Sequence, residues 1–220
     1  MDSRSGATIL RGFERIDVDA QHGVWLGLLP PGLRWCPAQF NAFWALHPKR
    51  FHKVRMFGRL VAEPRWSEAY GQDYQYSGTL HRASPLPDVL AQLIAWSKIE
   101  VDERINGVLV NWYDGSLGHK MGAHRDAEKE LVAGAPIVTI SFGETRTFRF
   151  RRWKGRDIRN LEVVDNSVLV LPYATNLAFT HEVPASKQRT GRRISVTMRA
   201  FEVLERRSRR PLAQSTRKQL

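Results

Sequence analysis

At 220 residues the chain suits one domain with a substantial core, and 42% apolar with 10% aromatic residues are ordinary globular values. Thirty-four Lys and Arg against 22 Asp and Glu leave a net charge of +12 and a pI near 10.4, a balance that favours polyanions such as nucleic acid as partners. The single cysteine, Cys36, excludes an intrachain disulfide and reads as a small buried apolar residue.

No run approaches the roughly 18–20 apolar residues that cross a bilayer, and the first ten residues have no apolar core of signal-peptide length. The expectation is a soluble intracellular monomer with no membrane partner, in cytoplasm and nucleoid or in a nucleus, depending on the organism.

Residues 37–51 (PAQFNAFWALHPKRF) read as a helix with proline at its start. A second helix over 87–99 carries Val89, Leu90, Leu93, Ile94 and Trp96 as an apolar stripe. From Gly107 the pattern changes to short β-like runs between turn residues: 108–113, 136–142, 146–151, 167–171, 176–179 and 193–201. Repeated strands at this spacing predict an antiparallel sandwich or jelly roll. The fold class is therefore α+β, a helical and extended N-terminal third packed on a β-sandwich that carries the site.

The basic residues form two groups. In RTFRFRRWKGRDIR (146–159), alternation turns Phe148 and Phe150 inward and Thr147, Arg149 and Arg151 outward, as a phosphate-facing edge or as plain solvated charge. The tail 206–220 has almost no apolar residues to bury and is expected to be disordered.

Chemistry enters at HRDAEKE, where His124 and Asp126 stand two residues apart. A histidine, a carboxylate and a distant second histidine form the facial triad of non-haem Fe(II) oxygenases, and the pair alone is equally a polar loop. With 7 His and 10 Asp in 220 residues, chance gives roughly 0.3 such pairs, so the rest of the machine has to decide. His181, in FTHEVP, lies 55 residues beyond Asp126, where a neighbouring sandwich strand could return it to the pair.

In RRISVTMR, alternation puts Arg193, Ser195, Thr197 and Arg199 on one face and Ile194, Val196 and Met198 on the other. Six residues at about 3.3 Å space the two arginine Cα atoms by roughly 20 Å, a span that inward-leaning guanidinium groups could close on a small dicarboxylate. Two solvent-facing arginines on an edge strand are the alternative. On VLVNWY, Asn111 and Tyr113 share a face and offer an amide and a hydroxyl.

Taken in order, NWY, HRD, FTHEVP and RRISVTMR resemble the AlkB family of Fe(II)/2-oxoglutarate dioxygenases. HRDAEKELVAGAPIVTISFGETRTFRFR and, upstream, VRMFGRLVAEPRWSEAYGQDYQYSG resemble its DNA-repair branch, over roughly residues 54–201 in all. The resemblance implies a double-stranded β-helix with N-terminal helices and a nucleotide-recognition region, within a single domain spanning 1–205. Residues 50–106 would form the recognition region and 107–201 the catalytic core.

It implies His124, Asp126 and His181 as iron ligands. Asn111, Tyr113, Arg193 and Arg199 would hold 2-oxoglutarate, with Arg193 and Tyr113 at the far carboxylate and Arg199 and Asn111 towards the metal. Tyr76 and Ser77, in YQYSG, and Glu128 would meet the flipped base, Tyr76 by stacking opposite the His124 ring. Ala127 stands where relatives of that branch often carry another acid. Phe57 would enter the duplex stack, and Arg65 would contact a phosphate unless it is a generic surface arginine.

The implied cofactors are Fe(II), 2-oxoglutarate and O2, and the implied partner is DNA, with RNA as the alternative. The reaction expected is oxidative removal of N-methyl groups from bases of the 1-methyladenine and 3-methylcytosine type, releasing formaldehyde, succinate and CO2. Methylated RNA or tRNA is the rival substrate, and a catalytically silent nucleic-acid-binding module the rival class.

Overall fold

The computed structural model describes residues 12–56, 59–71, 74–76, 79–81, 83–126 and 131–202. Strands β1 (Glu14–Asp17) and β2 (Gly23–Leu28) precede helix α1 (Pro37–Trp44), which β3 (Lys53–Met56), β4 (Arg59–Ala62), β5 (Trp66–Tyr70), β6 (Tyr74–Tyr76) and β7 (Thr79–His81) follow. Helix α2 (Asp88–Glu100) leads into β8 (Gly107–Asp114), β9 (Met121–His124), β10 (Ile137–Gly143), β11 (Arg146–Arg152), β12 (Ile158–Val163) and β13 (Ser167–Leu171). Helix α3 (Tyr173–Ala178), β14 (Phe179–Val183) and β15 (Arg192–Arg199) complete the described elements.

Seven strands form a large sheet in the order β1-β2-β13-β10-β15-β8-β5, and four form a small one in the order β12-β11-β14-β9. From β8 to β15 the chain crosses repeatedly between the two, and every pairing within them is antiparallel, the winding of a jelly roll. The expected α+β jelly roll is thus the fold observed. Among the described residues no helix is long and apolar enough to cross a membrane.

Two apolar clusters explain the layering. Helices α1 and α2 put Phe43, Trp44, Leu90 and Leu93 against Val110, Trp112, Ile140, Val196 and Met198 on one face of the large sheet. Trp112 is fully buried, stacks on Phe43 at 5.7 Å between centroids, and donates from Nε1 to the Phe43 carbonyl. Such a pair contributes about 0.5–1.5 kcal/mol beyond its buried area.

The other cluster fills the space between the sheets, with Tyr113, Ile137, Leu169 and Leu171 facing Phe148, Phe150, Phe179 and Val183. Both faces of β15 are covered, so seven of its eight residues are buried, the four polar ones at 193, 195, 197 and 199 included. That polar stripe is where a site can form inside an apolar sandwich.

Several expectations change. Helix α1 stops at Trp44 rather than residue 51, because Pro48 restricts the residue before it and cannot extend a helix. Residues 176–178 belong to α3 rather than a strand; Pro172 at the N-cap starts a single helical turn that sequence alternation cannot reveal. Cys36 is exposed, not buried, since it sits at the N-cap of α1 where the chain turns outward. The N-terminal third was expected to be helical and extended without individual strands, so β1 to β7 are additions, as are β9 and β12, which are short or polar and gain their order from pairing.

Candidate metal and cosubstrate centre

His124 ends β9, and β14 pairs with it so that His181 lies directly across the ladder. The rings approach to 4.4 Å between centroids, and Asp126, two residues on, brings Oδ1 to 3.8 Å from His124 Nε2. One ligand atom from each of the three residues lies within 4.8 Å of the others, so the group could hold one metal ion. The 55-residue separation is closed by one strand pairing.

The donor chemistry fits. His124 Nδ1 is 2.9 Å from the Gly122 carbonyl. A carbonyl only accepts, so Nδ1 carries the proton and Nε2 presents its lone pair, the usual way a backbone group sets the tautomer of a ligating imidazole. His181 packs flat on Phe148 at 5.5 Å, and its buried Nδ1 meets no hydrogen-bond partner among the described residues. Burial drives the His181 pKa down to about 3, with His124 adding to the effect, and burial lowers His124 as well. Both imidazoles are therefore neutral, the state a metal needs.

Burial alone would raise the Asp126 pKa, but the Arg199 guanidinium, through its charge and its hydrogen bonds, outweighs it and holds the carboxyl well below the usual range. Arg199 donates from Nε and Nη2 to the two Asp126 oxygens, each at 2.9 Å. The backbone of Asp126 is clamped too: its N–H donates to Asn176 Oδ1, whose Nδ2 donates back to the Asp126 carbonyl.

A second polar group adjoins the triad. Arg65 Nε donates to Asn111 Oδ1 at 2.7 Å, which turns the Asn111 amide so that its NH2 remains as a donor. Arg65 also reaches Glu63 at 3.5 Å, and Ser67 Oγ donates to the same carboxylate at 2.7 Å. Glu63, Arg65, Asn111 and Arg199 line one pocket with His124, Asp126 and His181. Arg65 is 7% exposed, so it stands on the pocket wall rather than at an outer phosphate-facing surface.

Tyr113 and Arg193 face each other across β8 and β15, with the Arg193 guanidinium 5.0 Å from the ring centroid. Arg193 is fully buried and donates from Nη2 to Ser141 Oγ at 2.9 Å. The turn after β10 allows this approach: Gly143 pairs with Arg193, has φ +86°, and a Cβ there would lie 2.4 Å from the Arg192 carbonyl.

The structure therefore brings His124, Asp126, His181, Asn111, Arg199 and Arg65 to one cavity, with Tyr113 and Arg193 on adjoining strands. Phe57, Ser77 and Glu128 lie outside the described residues, and for Tyr76 only the backbone at the end of β6 is described. Glu63, Ser67 and Asn176 were not foreseen, because an isolated acid, serine or asparagine carries no spacing signal. Arg146, buried at the start of β11, shares the inward parity of Phe148 and Phe150 and was legible in that alternation.

Comparison with known proteins agrees with this geometry. The mouse (Mus musculus) DNA oxidative demethylase ALKBH2 is 32% identical over 158 residues, 67% of this chain and 66% of that protein. The human (Homo sapiens) and bovine (Bos taurus) proteins of that name are each 30% identical over 158 residues, again 67% of this chain, and 60% and 56% of theirs. The matched stretch thus spans between about half and two thirds of these relatives. The solved structure of OsALKBH1 superposes with a TM-score of 0.55 at 15% identity, covering 85% of this chain and 99% of that one, which shows a shared fold. The family described as the 2OG-Fe(II) oxygenase superfamily matches residues 36–199, and the chain belongs to that family.

Proposed function

We propose that the protein is a DNA demethylase that removes N-alkyl groups from nucleobases of the 1-methyladenine and 3-methylcytosine type, using Fe(II), 2-oxoglutarate and O2. The observation that carries the reading is the convergence of His124, Asp126 and His181 beside Asn111 and Arg199 in one pocket between the sheets. Relatives at about 30% identity bear the name DNA oxidative demethylase, and the +12 charge suits a polyanionic substrate.

In this reading the three residues of the triad hold iron, and Asn111 and Arg199 hold the near end of 2-oxoglutarate while Tyr113 and Arg193 hold its far carboxylate. Bound iron and cosubstrate supply the oxidising power that hydroxylates the N-methyl carbon, whose product sheds formaldehyde. The protein supplies position. Arg199 fixes the Asp126 carboxylate, the Gly122 carbonyl fixes the His124 tautomer, and Arg65 fixes the Asn111 amide. Phe148, Leu169, Leu171 and Ile137 form apolar walls that keep bulk water from the ligands.

Residues 50–106 form the nucleotide-recognition region in this proposal; the basic tail at 206–220 lies outside the described residues. Tyr76, Ser77 and Glu128 read the extruded base, and Phe57 fills the gap it leaves; extrusion costs a few kcal/mol, least for lesions that already block pairing. Arg65 serves from the pocket wall. The test is anaerobic assembly with Fe(II) and 2-oxoglutarate, then air, with matched 1-methyladenine DNA and RNA oligonucleotides. Formaldehyde release with loss of one methyl mass from DNA, faster than from RNA, is expected; no release from either would contradict the proposal.

A further inference from the structure

Four arginines are buried among the described residues: Arg65, Arg146, Arg193 and Arg199. Two have a carboxylate, Arg65 with Glu63 and Arg199 with Asp126. Arg146, only 1% exposed, and Arg193, fully buried, form no salt bridge with a carboxylate among the described residues. Both flank the same ring, their guanidinium carbons 6.0 Å and 5.0 Å from the Tyr113 centroid. Arg146 Nη1 and Arg193 Nε and Nη1 meet no hydrogen-bond acceptor among the described residues. Glu144, the nearest acid along the chain, acts on Arg146 only through space, and its carboxylate accepts from the Gly191 N–H.

A buried guanidinium without a counter-anion is expensive, and two beside one another more so, because each opposes the charge of the other. Backbone carbonyls lessen the cost only in part: Arg146 Nη2 donates to the carbonyls of His119 at 3.0 Å and Pro184 at 2.8 Å. Those two bonds fix the side chain between the loops after β8 and β14, leaving Nη1 unused. The arrangement sets two guanidinium groups without a salt-bridge partner among the described residues beside one tyrosine ring.

We infer that Arg146 is the second guanidinium of the subsite that receives the far carboxylate of the cosubstrate, a positioning residue that makes the site select a five-carbon 2-oxo diacid over the corresponding monoacid. The inference rests on the proposed function above. Arg193 is the direct partner of the carboxylate, and Arg146 supplies the second charge from beside the Tyr113 ring. A purely structural brace would matter equally to both acids; a charge aimed at one carboxylate matters only to the diacid.

The experiment is isothermal titration of the Mn(II)-loaded full-length protein with 2-oxoglutarate and with 2-oxopentanoate, which lacks the far carboxylate. R146M is expected to weaken 2-oxoglutarate about tenfold or more and to leave 2-oxopentanoate within about twofold, whereas R146K keeps most of the preference because it keeps the charge. Equal weakening of both acids in R146M, or no change in either, overturns the role of Arg146 alone. R146Q, which removes the charge but keeps a polar side chain, serves by itself if R146M does not fold: loss of the preference for 2-oxoglutarate over 2-oxopentanoate supports the role, and an unchanged preference in a folded R146Q overturns it. Wild-type protein that takes up no 2-oxoglutarate overturns the underlying reading together with the inference.

Discussion

Arg199 grips Asp126 with two parallel hydrogen bonds of 2.9 Å, and both side chains are almost fully buried. Removing one partner of such a pair strands the other charge, at a cost of about 3–5 kcal/mol. D126A and R199M should each lower the stability of the metal-free protein by that order, and the double variant by much less than their sum. Urea denaturation of the four proteins gives the coupling directly. Additive losses would mean that the pair is not a coupled unit.

The triad is also expected to separate chemistry from DNA binding. H124A or D126A should abolish turnover while leaving affinity for a methylated oligonucleotide nearly unchanged, since phosphate contacts dominate binding. Wild-type turnover in either variant would remove that residue from the ligand set.

Acid should loosen the metal-free site. The His181 pKa falls to about 3 in the fold, against the ordinary 6.5. Below 6.5 the unfolded chain therefore binds more protons, and stability drops as pH falls towards 3. His124 and His119 shift in the same direction, while His52, raised by its bond to Glu68, contributes in the opposite sense. Urea midpoints taken from about pH 7 to about pH 5 should fall for the wild type and fall less for H181Q. Parallel profiles would contradict the assignment.

Arg65 orients Asn111, so R65A should free the amide to rotate and raise the 2-oxoglutarate KM more than it lowers kcat. A change confined to the salt dependence of DNA binding would instead return Arg65 to the phosphate role read from sequence.

Phe57, outside the described residues, carries a separate expectation. F57A should slow repair in duplex more than in single strands, because only a duplex leaves a gap to fill. Equal loss on both substrates would count against a finger.

Much of this was legible because alternation along a strand is a strong signal. RRISVTMR separated Arg193 and Arg199 from Ile194, Val196 and Met198, and the sandwich buries both sets as that parity requires. The bond from Arg199 Nε and Nη2 to Asp126, by contrast, joins residues 73 apart, which spacing cannot predict. The Glu63–Arg65–Asn111 relay likewise depends on β5 pairing with β8, a long-range register. Helix α3 was missed because one turn is too short to show a period.

The most direct test of the central claim is anaerobic titration of the full-length protein with Fe(II) and 2-oxoglutarate, read by the visible charge-transfer band of the iron chelate. One equivalent of Fe(II) per chain should develop the band in the wild type, and H124A, D126A and H181A should each fail to develop it at the same concentrations. A full band in folded H181A would contradict the account, because the residue that closes the triad across the β9–β14 ladder would then hold no iron.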